Sequence, residues 1–146
     1  MKTAEDFLEG QVLLVDKPLT WSSFQAVNKL KYLLKREFDL PKKFKIGHAG
    51  TLDPLATGLL IVCTGKFTKK ITEIQSQTKE YTGTITVGGT TPSYDLETVI
   101  DKTFPVNHIT PELIQETTLQ FIGEIDQKPP VFSAIKKDGK RLYEHA

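Results

Sequence analysis

Residues 47–58 read GHAGTLDPLATG and are the most informative stretch of this chain. Three glycines among these twelve residues allow the backbone to turn tightly and to approach a ligand closely. His48 and Asp53 lie five positions apart in this frame, and Leu52, Pro54 and Leu55 adjoin the carboxylate. Apolar neighbours can desolvate a carboxylate and increase its reactivity. The segment is therefore the first candidate for a chemically active site.

The same residues also allow a purely structural interpretation. Asp53 followed by Pro54 matches the N-cap and first position of a helix. A loop histidine such as His48 more often bonds to backbone than it takes part in catalysis. The two roles of Asp53 are compatible with each other, so the residues alone leave both open.

The regions on either side of this stretch predict strands and helices in no regular alternation. Apolar or alternating runs predict strands, and Ser22 and Gln25 have the spacing of a capping box. Thr110 and Pro111 match an N-cap followed by a first-turn proline. The predicted strands are residues 11–16, 59–64, 80–87 and 131–137, and the predicted helices are residues 21–37, 65–74 and 110–121. This order favours an α+β fold with a mixed, largely antiparallel sheet flanked by helices.

Length and composition indicate one globular domain in the cytoplasm. The chain has 146 residues, of which 38% are hydrophobic and 25% are charged. The apolar runs are too short to span a membrane, and the acidic N-terminal residues do not match a signal peptide. The single cysteine, Cys63, excludes an internal disulfide and lies in an apolar run, which favours a core position. The three histidines lack the spacing of metal ligands.

The near-neutral net charge of +1 conceals an uneven distribution. Residues 29–45 carry a net charge of +5, whereas residues 91–127 carry −6. A basic segment can bind phosphates, although a solvated helix face is the alternative explanation. The glycines do not form a P-loop, because Gly65 and Lys66 are followed by Phe67 where that motif requires Ser or Thr.

Residues 47–58 resemble the catalytic motif of the TruB family, the bacterial tRNA pseudouridine(55) synthases. Further matches follow the order of the family along the chain, from about residue 10 to residue 146. They are LVDKP at 14–18 with WSS at 21–23, KEY at 79–81, and PPVFSAIK at 129–136 followed by Gly139, Tyr143 and Glu144. Several ordered matches make a chance resemblance improbable. Pro92 interrupts a turn where the family often has an aspartate, so no role is transferred to that position.

The resemblance implies the isomerisation of uridine to pseudouridine at position 55, in the T-arm of tRNA. By this analogy Asp53 is the catalytic nucleophile, and His48 and Tyr81 bind the substrate once its base has been flipped out. Lys17 and Pro18 would support the catalytic loop. No cofactor and no metal are implied, and no membrane partner is expected. The alternative is a non-catalytic RNA-binding or RNA-chaperone domain with the same fold.

Members of the TruB family are about twice as long as this chain. The resemblance therefore implies that residues 1–146 are the N-terminal part of a pseudouridine synthase catalytic domain. The second half of that domain and a C-terminal RNA-binding domain would lie elsewhere. We expect the full-length enzyme to be a monomer and the 146-residue chain alone to be inactive. An uncovered sheet edge would make the isolated chain prone to self-association.

Overall fold

The computed structural model describes residues 2–127 and the backbone pairing of residues 136–137 with 140–141. The chain forms two compact units, Met1–Tyr81 and Thr82–Ala146. Helices and antiparallel strands are present together, which confirms the α+β class. No helix among the described residues is long and apolar enough to cross a membrane.

The first unit is built on a three-stranded antiparallel sheet. Its strands are β1 (Val12–Lys17), β2 (Ile46–His48) and β3 (Gly58–Thr64), and β3 lies between the other two. The strands predicted at 11–16 and 59–64 are therefore confirmed within one residue at each end. Strand β2 lies inside residues 38–58, which the sequence analysis treated as irregular, because three residues are too few to show a pattern.

One face of this sheet forms the core with a helix. Leu60 and Val62 of β3 are buried with Ala26 and Val27 of helix α2 (Ser23–Glu37), and Leu13 and Val15 of β1 pack against them. The opposite face exposes Val12, Leu14 and Leu59. This alternation follows from the two-residue period of a strand.

Helix α2 begins with the predicted capping box. The Ser22 side chain accepts a hydrogen bond from the Gln25 amide at 3.1 Å, and the Gln25 side chain accepts one from the Ser22 amide at 2.8 Å. The buried stripe is narrower than expected, because Phe24 and Tyr32 are 69% and 59% exposed. Both residues lie on the side of α2 that faces away from the sheet, because Ala26 and Val27 face it.

Three shorter helical segments accompany the sheet. Helix α1 (Ala4–Glu9) precedes β1, and a 3-10 helix (Gly65–Lys70) follows β3 and continues as helix α3 (Ile71–Gln75). The predicted basic helix at 65–74 is therefore confirmed in position, with a 3-10 first part. Gly65 adopts a φ of +53°, and a Cβ there would lie 2.1 Å from the Leu8 carbonyl oxygen, so only glycine fits.

The second unit contains short elements. Strands β4 (Gly89–Thr90) and β5 (Lys102–Thr103) form one pair, and β6 (Lys136–Lys137) and β7 (Lys140–Arg141) form another. Helix α4 (Pro111–Thr118) begins at the predicted N-cap Thr110, and a 3-10 turn (Leu119–Phe121) follows it. The turn predicted at residues 138–139 and most of the strand predicted at 131–137 lie outside the described residues, which here include only the paired residues 136–137 and 140–141.

The prediction of a strand at residues 80–87 is wrong. These residues form an exposed irregular segment, although their side chains alternate in polarity. A strand requires a neighbour that accepts its backbone hydrogen bonds, and none of the strands described in residues 2–127 pairs with this segment. Alternation of side chains is therefore an insufficient signal here.

Two adjacent leucines of β3 provide a test of the sheet's orientation. Leu60 is 1% exposed and Leu59 is 59% exposed. We expect Leu60→Ala to lower the free energy of unfolding by about 3 kcal/mol, because it leaves a cavity against α2. Leu59→Ala, on the opposite face, is the control and should lower it by less than about 1 kcal/mol. Urea denaturation of the 146-residue chain measures both, and equal losses would contradict the assigned faces.

Candidate active site

Asp53 lies in the middle of the loop that joins β2 to β3. The Ala49 amide donates to the Ile61 carbonyl at 2.8 Å where the loop leaves the sheet. At the centre, the Ala56 amide donates to the Asp53 carbonyl at 3.0 Å and closes a turn with Pro54 at its second position. No helix follows, so the helix-cap interpretation of Asp53 is wrong. Aspartate followed by proline is equally favoured at the start of a β-turn, and this turn is the one that forms.

The Asp53 side chain is exposed. Among residues 2–127 it has no hydrogen bond and no ion pair, so neither carboxylate oxygen has a partner in this part of the chain. Leu52 packs partly against the core, and Leu55 is 46% exposed. The apolar neighbours therefore do not bury the carboxylate in this structure, contrary to the expectation of desolvation.

The backbone on both sides of Asp53 is held by Ser23, the first residue of α2, and by Thr20 in the turn before that helix. Ser23 Oγ accepts a hydrogen bond from the Leu52 amide at 2.9 Å and donates one to the Leu52 carbonyl at 3.0 Å. The Thr20 amide donates to the Pro54 carbonyl at 2.8 Å. The residue before Asp53 and the residue after it are thus both fixed to the same short segment.

Lys17 stabilises the segment that makes these contacts. Its side chain is fully buried at the end of β1, and Nζ donates to the Pro18 carbonyl at 3.0 Å and to the Trp21 carbonyl at 2.5 Å. These bonds close the turn across residues 18–21, in which Thr20 has a φ of +70°. A non-glycine residue at such an angle requires support from its surroundings. The arrangement is consistent with the supporting role that the sequence resemblance implied for Lys17.

His48 is the last residue of β2 and pairs with Val62. Its Nδ1 lies within hydrogen-bond distance of the Gly50 carbonyl oxygen. A carbonyl oxygen can only accept, so Nδ1 carries the proton and the ring is held in one orientation. Strand β2 and this bond therefore hold the half-buried imidazole at the start of the loop that contains Asp53.

Tyr81 lies at the end of the first unit and is 74% exposed. Within the described residues it has no hydrogen bond to Asp53 or His48 and no aromatic ring contact. Cys63 is fully buried, and burial raises the pKa of its thiol. This confirms Cys63 as a core residue, since a thiol nucleophile needs access and a lowered pKa.

A basic groove lies elsewhere on the first unit. It has a volume of about 290 Å³. It is lined by Leu8, Pro41, Lys43, Phe44, Lys45, Gly65, Lys66, Thr68 and Lys69. Lys66 is paired with Glu9, at 2.8 Å from both carboxylate oxygens. The predicted basic segment at 29–45 therefore contributes two of the four groove lysines, and the 3-10 helix contributes the others.

Comparisons with known proteins decide the family. The family model described as TruB family pseudouridylate synthase (N terminal domain) matches residues 35–146. The chain belongs to the TruB family. It is 77% identical over 144 residues to tRNA pseudouridine synthase B of Flavobacterium johnsoniae, covering 99% of this chain and 63% of that protein. It is 59% identical over 141 residues to the protein of that name from Phocaeicola vulgatus, covering 97% of this chain and 60% of that protein.

More distant relatives have the same name. The protein from Chlorobium chlorochromatii is 44% identical over 137 residues, covering 94% of this chain and 52% of that protein. The chain thus spans between half and two thirds of the length of these curated TruB relatives. The recognition of the family from residues 47–58 and the flanking matches is confirmed.

Two residues that hold the Asp53 loop of this TruB protein received no role from the sequence. They are Ser23 and Thr20. Ser23 precedes Ala26 and Val27 by three and four positions, which places a hydroxyl on the buried face of α2. A polar side chain on an apolar face needs a buried partner, and this signal could have indicated Ser23. The Thr20 contact is made by the backbone amide, which almost every residue type has. The identity of the residue therefore gives no indication of this contact.

Proposed function

We propose that residues 1–146 are the N-terminal part of the catalytic domain of an enzyme that converts uridine to pseudouridine at position 55, in the T-arm of tRNA. The observation that carries this proposal is the exposed Asp53 carboxylate on a loop whose backbone is fixed on both sides, within a chain 77% identical to a tRNA pseudouridine synthase B. The proposal concerns the full-length protein, of which this chain supplies the Asp53 loop.

Asp53 is proposed as the nucleophile. Pseudouridine has the same atoms as uridine, so the reaction breaks the glycosidic C–N bond and forms a C–C bond without redox change or external energy. A carboxylate can bond covalently to a carbon of the nucleoside, for example the sugar carbon, and so divide one difficult step into two. Exposure of Asp53 supports this role, because a nucleophile must reach its target atom.

His48 and Tyr81 are proposed to bind the flipped nucleotide. A uridine inside a folded T-loop must leave its stack before a carboxylate can reach it, at a cost of a few kcal/mol. A planar imidazole can stack in the space left behind, and the Gly50 bond fixes the orientation of that ring. Tyr81 offers an exposed ring for stacking on the base and a hydroxyl for hydrogen bonding.

The basic groove is proposed to contact the tRNA backbone. Phosphate contacts provide affinity and position, whereas loop and base contacts provide specificity. The four groove lysines come from two separate segments of the chain. Lys66 is ion-paired with Glu9, so the net positive charge of this surface comes from Lys43, Lys45 and Lys69. A polyanion such as tRNA fits this surface better than a small neutral ligand would.

Catalysis distinguishes this function from RNA binding alone. The full-length protein is incubated with an unmodified T-arm hairpin, and the digested nucleosides are separated by chromatography and mass spectrometry. We expect uridine to be converted to pseudouridine over many turnovers. Tight binding of the hairpin without any conversion would instead support the alternative of an RNA-binding or RNA-chaperone domain.

Replacement of the nucleophile is the most direct test of Asp53. We expect Asp53→Asn in the full-length protein to abolish pseudouridine formation while hairpin binding is retained, because the amide preserves shape but lacks nucleophilicity. Asp39→Asn is the matched control, since Asp39 is exposed and its φ of +46° suits asparagine. Turnover of Asp53→Asn within about tenfold of wild type, or about 1.4 kcal/mol, would contradict the assignment.

Replacement of His48 separates binding from proton transfer. We expect His48→Ala to raise KM for the hairpin about tenfold, as loss of one stacking contact does. The pH dependence of kcat should keep both of its limbs, because a stacking ring transfers no proton. His108→Ala, in an exposed loop of the second unit, serves as the control. Loss of one limb in His48→Ala would indicate acid–base catalysis instead.

Salt dependence tests the basic groove. We expect the double variant Lys45→Gln/Lys69→Gln to reduce the slope of log Kd against log salt by about 1.5, because about two phosphate contacts are lost. Lys2→Gln/Lys102→Gln removes the same charge outside the groove and should leave the slope almost unchanged. Equal slopes for the two double variants would show that the groove does not contact RNA.

A further inference from the structure

The Ser23 hydroxyl is almost completely removed from solvent, at 1% exposure. It both accepts from the amide and donates to the carbonyl of a single distant residue, Leu52. One hydroxyl thus satisfies both backbone groups of the residue immediately before Asp53. A buried backbone group without a partner is costly, so this pairing strongly favours one position of the Leu52 backbone.

The element that carries Ser23 is packed against the sheet. Ser23 is the first residue of α2, and Ala26 and Val27 in the next turn are buried against β3. Strand β3 begins at Gly58, where the Asp53 loop returns to the sheet. The hydroxyl therefore ties the middle of the loop to a helix that is itself packed on the strand after the loop.

A second contact restricts the other side of the loop. The Pro54 carbonyl accepts from the Thr20 amide at 2.8 Å, so the backbone is held one residue before and one residue after Asp53. The Asp53 side chain has no partner of its own within residues 2–127. Its position therefore depends on the backbone of the loop, and Ser23 supplies two of the three hydrogen bonds that hold Leu52 and Pro54 from outside the loop.

We propose that Ser23 is a positioning residue for Asp53, whose hydroxyl sets the place of the carboxylate through the Leu52 backbone. This inference rests on the proposed function of Asp53 as nucleophile. Displacement of a reacting group by about 1 Å can lower a rate about 100-fold, while substrate binding through other surfaces is unaffected. Loss of the hydroxyl should therefore lower kcat far more than it changes KM.

The test compares two adjacent serines in the full-length protein. Ser23→Ala removes both bonds to Leu52, whereas Ser22→Ala removes the N-cap of the same helix without touching the loop. We expect kcat of Ser23→Ala to fall by about 10- to 100-fold with KM within about threefold of wild type. Ser22→Ala should keep kcat within about threefold, although it weakens the helix end.

Hydrogen exchange at the Leu52 amide provides a readout independent of activity. We expect exchange at Leu52 to be at least about tenfold faster in Ser23→Ala, where the amide has lost its acceptor, and unchanged in Ser22→Ala. If Ser23→Ala does not fold, Ser23→Cys and Ser22→Cys make the same comparison, because a thiol leaves no cavity and hydrogen-bonds only weakly. The expected kcat of Ser23→Cys is then intermediate between wild type and the range given above.

The outcomes separate this inference from the proposed function. A wild-type protein that forms no pseudouridine overturns both. An active wild type with equal kcat in the Ser23 and Ser22 variants overturns the positioning role and leaves the function intact. A fall in kcat in the Ser23 variant alone, together with faster Leu52 exchange, supports the positioning role.

Discussion

Burial of Leu60 and Val62 against helix α2 is the interaction on which the first unit depends. These side chains are 1% and 0% exposed, and they project from β3, which has a neighbouring strand on both edges. Their burial fixes how β3 faces α2, and the register then places Lys17 opposite Gly58 and His48 opposite Val62. The positions of Lys17, Thr20 and Ser23, which support the Asp53 loop, therefore depend on this packing.

The sheet also explains why residues far apart in sequence meet around Asp53. Strand β1 ends at Lys17, beside the start of β3, and the chain then turns through residues 18–22 before α2 begins. Helix α2 covers the face of the sheet that contains Leu60. Its first turn therefore contacts the loop between β2 and β3. Lys17 closes the intervening turn with two hydrogen bonds to carbonyls, which keeps Thr20 and Ser23 at the correct distance from that loop.

The sequence allowed prediction of features set by neighbours along the chain. Local periodicity and hydrogen bonding determine these features, and the structure confirms them. They are the capping box at Ser22 and Gln25, the N-cap at Thr110, and the strands around Leu14 and Leu60. Predictions failed where a distant partner determines the outcome. Residues 80–87 alternate like a strand but have no paired neighbour in the described part, and Asp53–Pro54 begins a turn because the Leu52 and Pro54 backbone is already held from outside.

The Asp53 carboxylate has no partner among residues 2–127, whereas the backbone around it is fixed, and this contrast fits the chemistry proposed for Asp53. Hydrogen bonds to its oxygens would place the group accurately but would also stabilise the lone pairs that must attack carbon. Bonds to the Leu52 and Pro54 backbone give accuracy without occupying those lone pairs. A buried serine hydroxyl suits this purpose because it satisfies an amide and a carbonyl at once. In the proposed mechanism, the precision of the site therefore comes from backbone contacts, and the Asp53 side chain stays available for the proposed substrate.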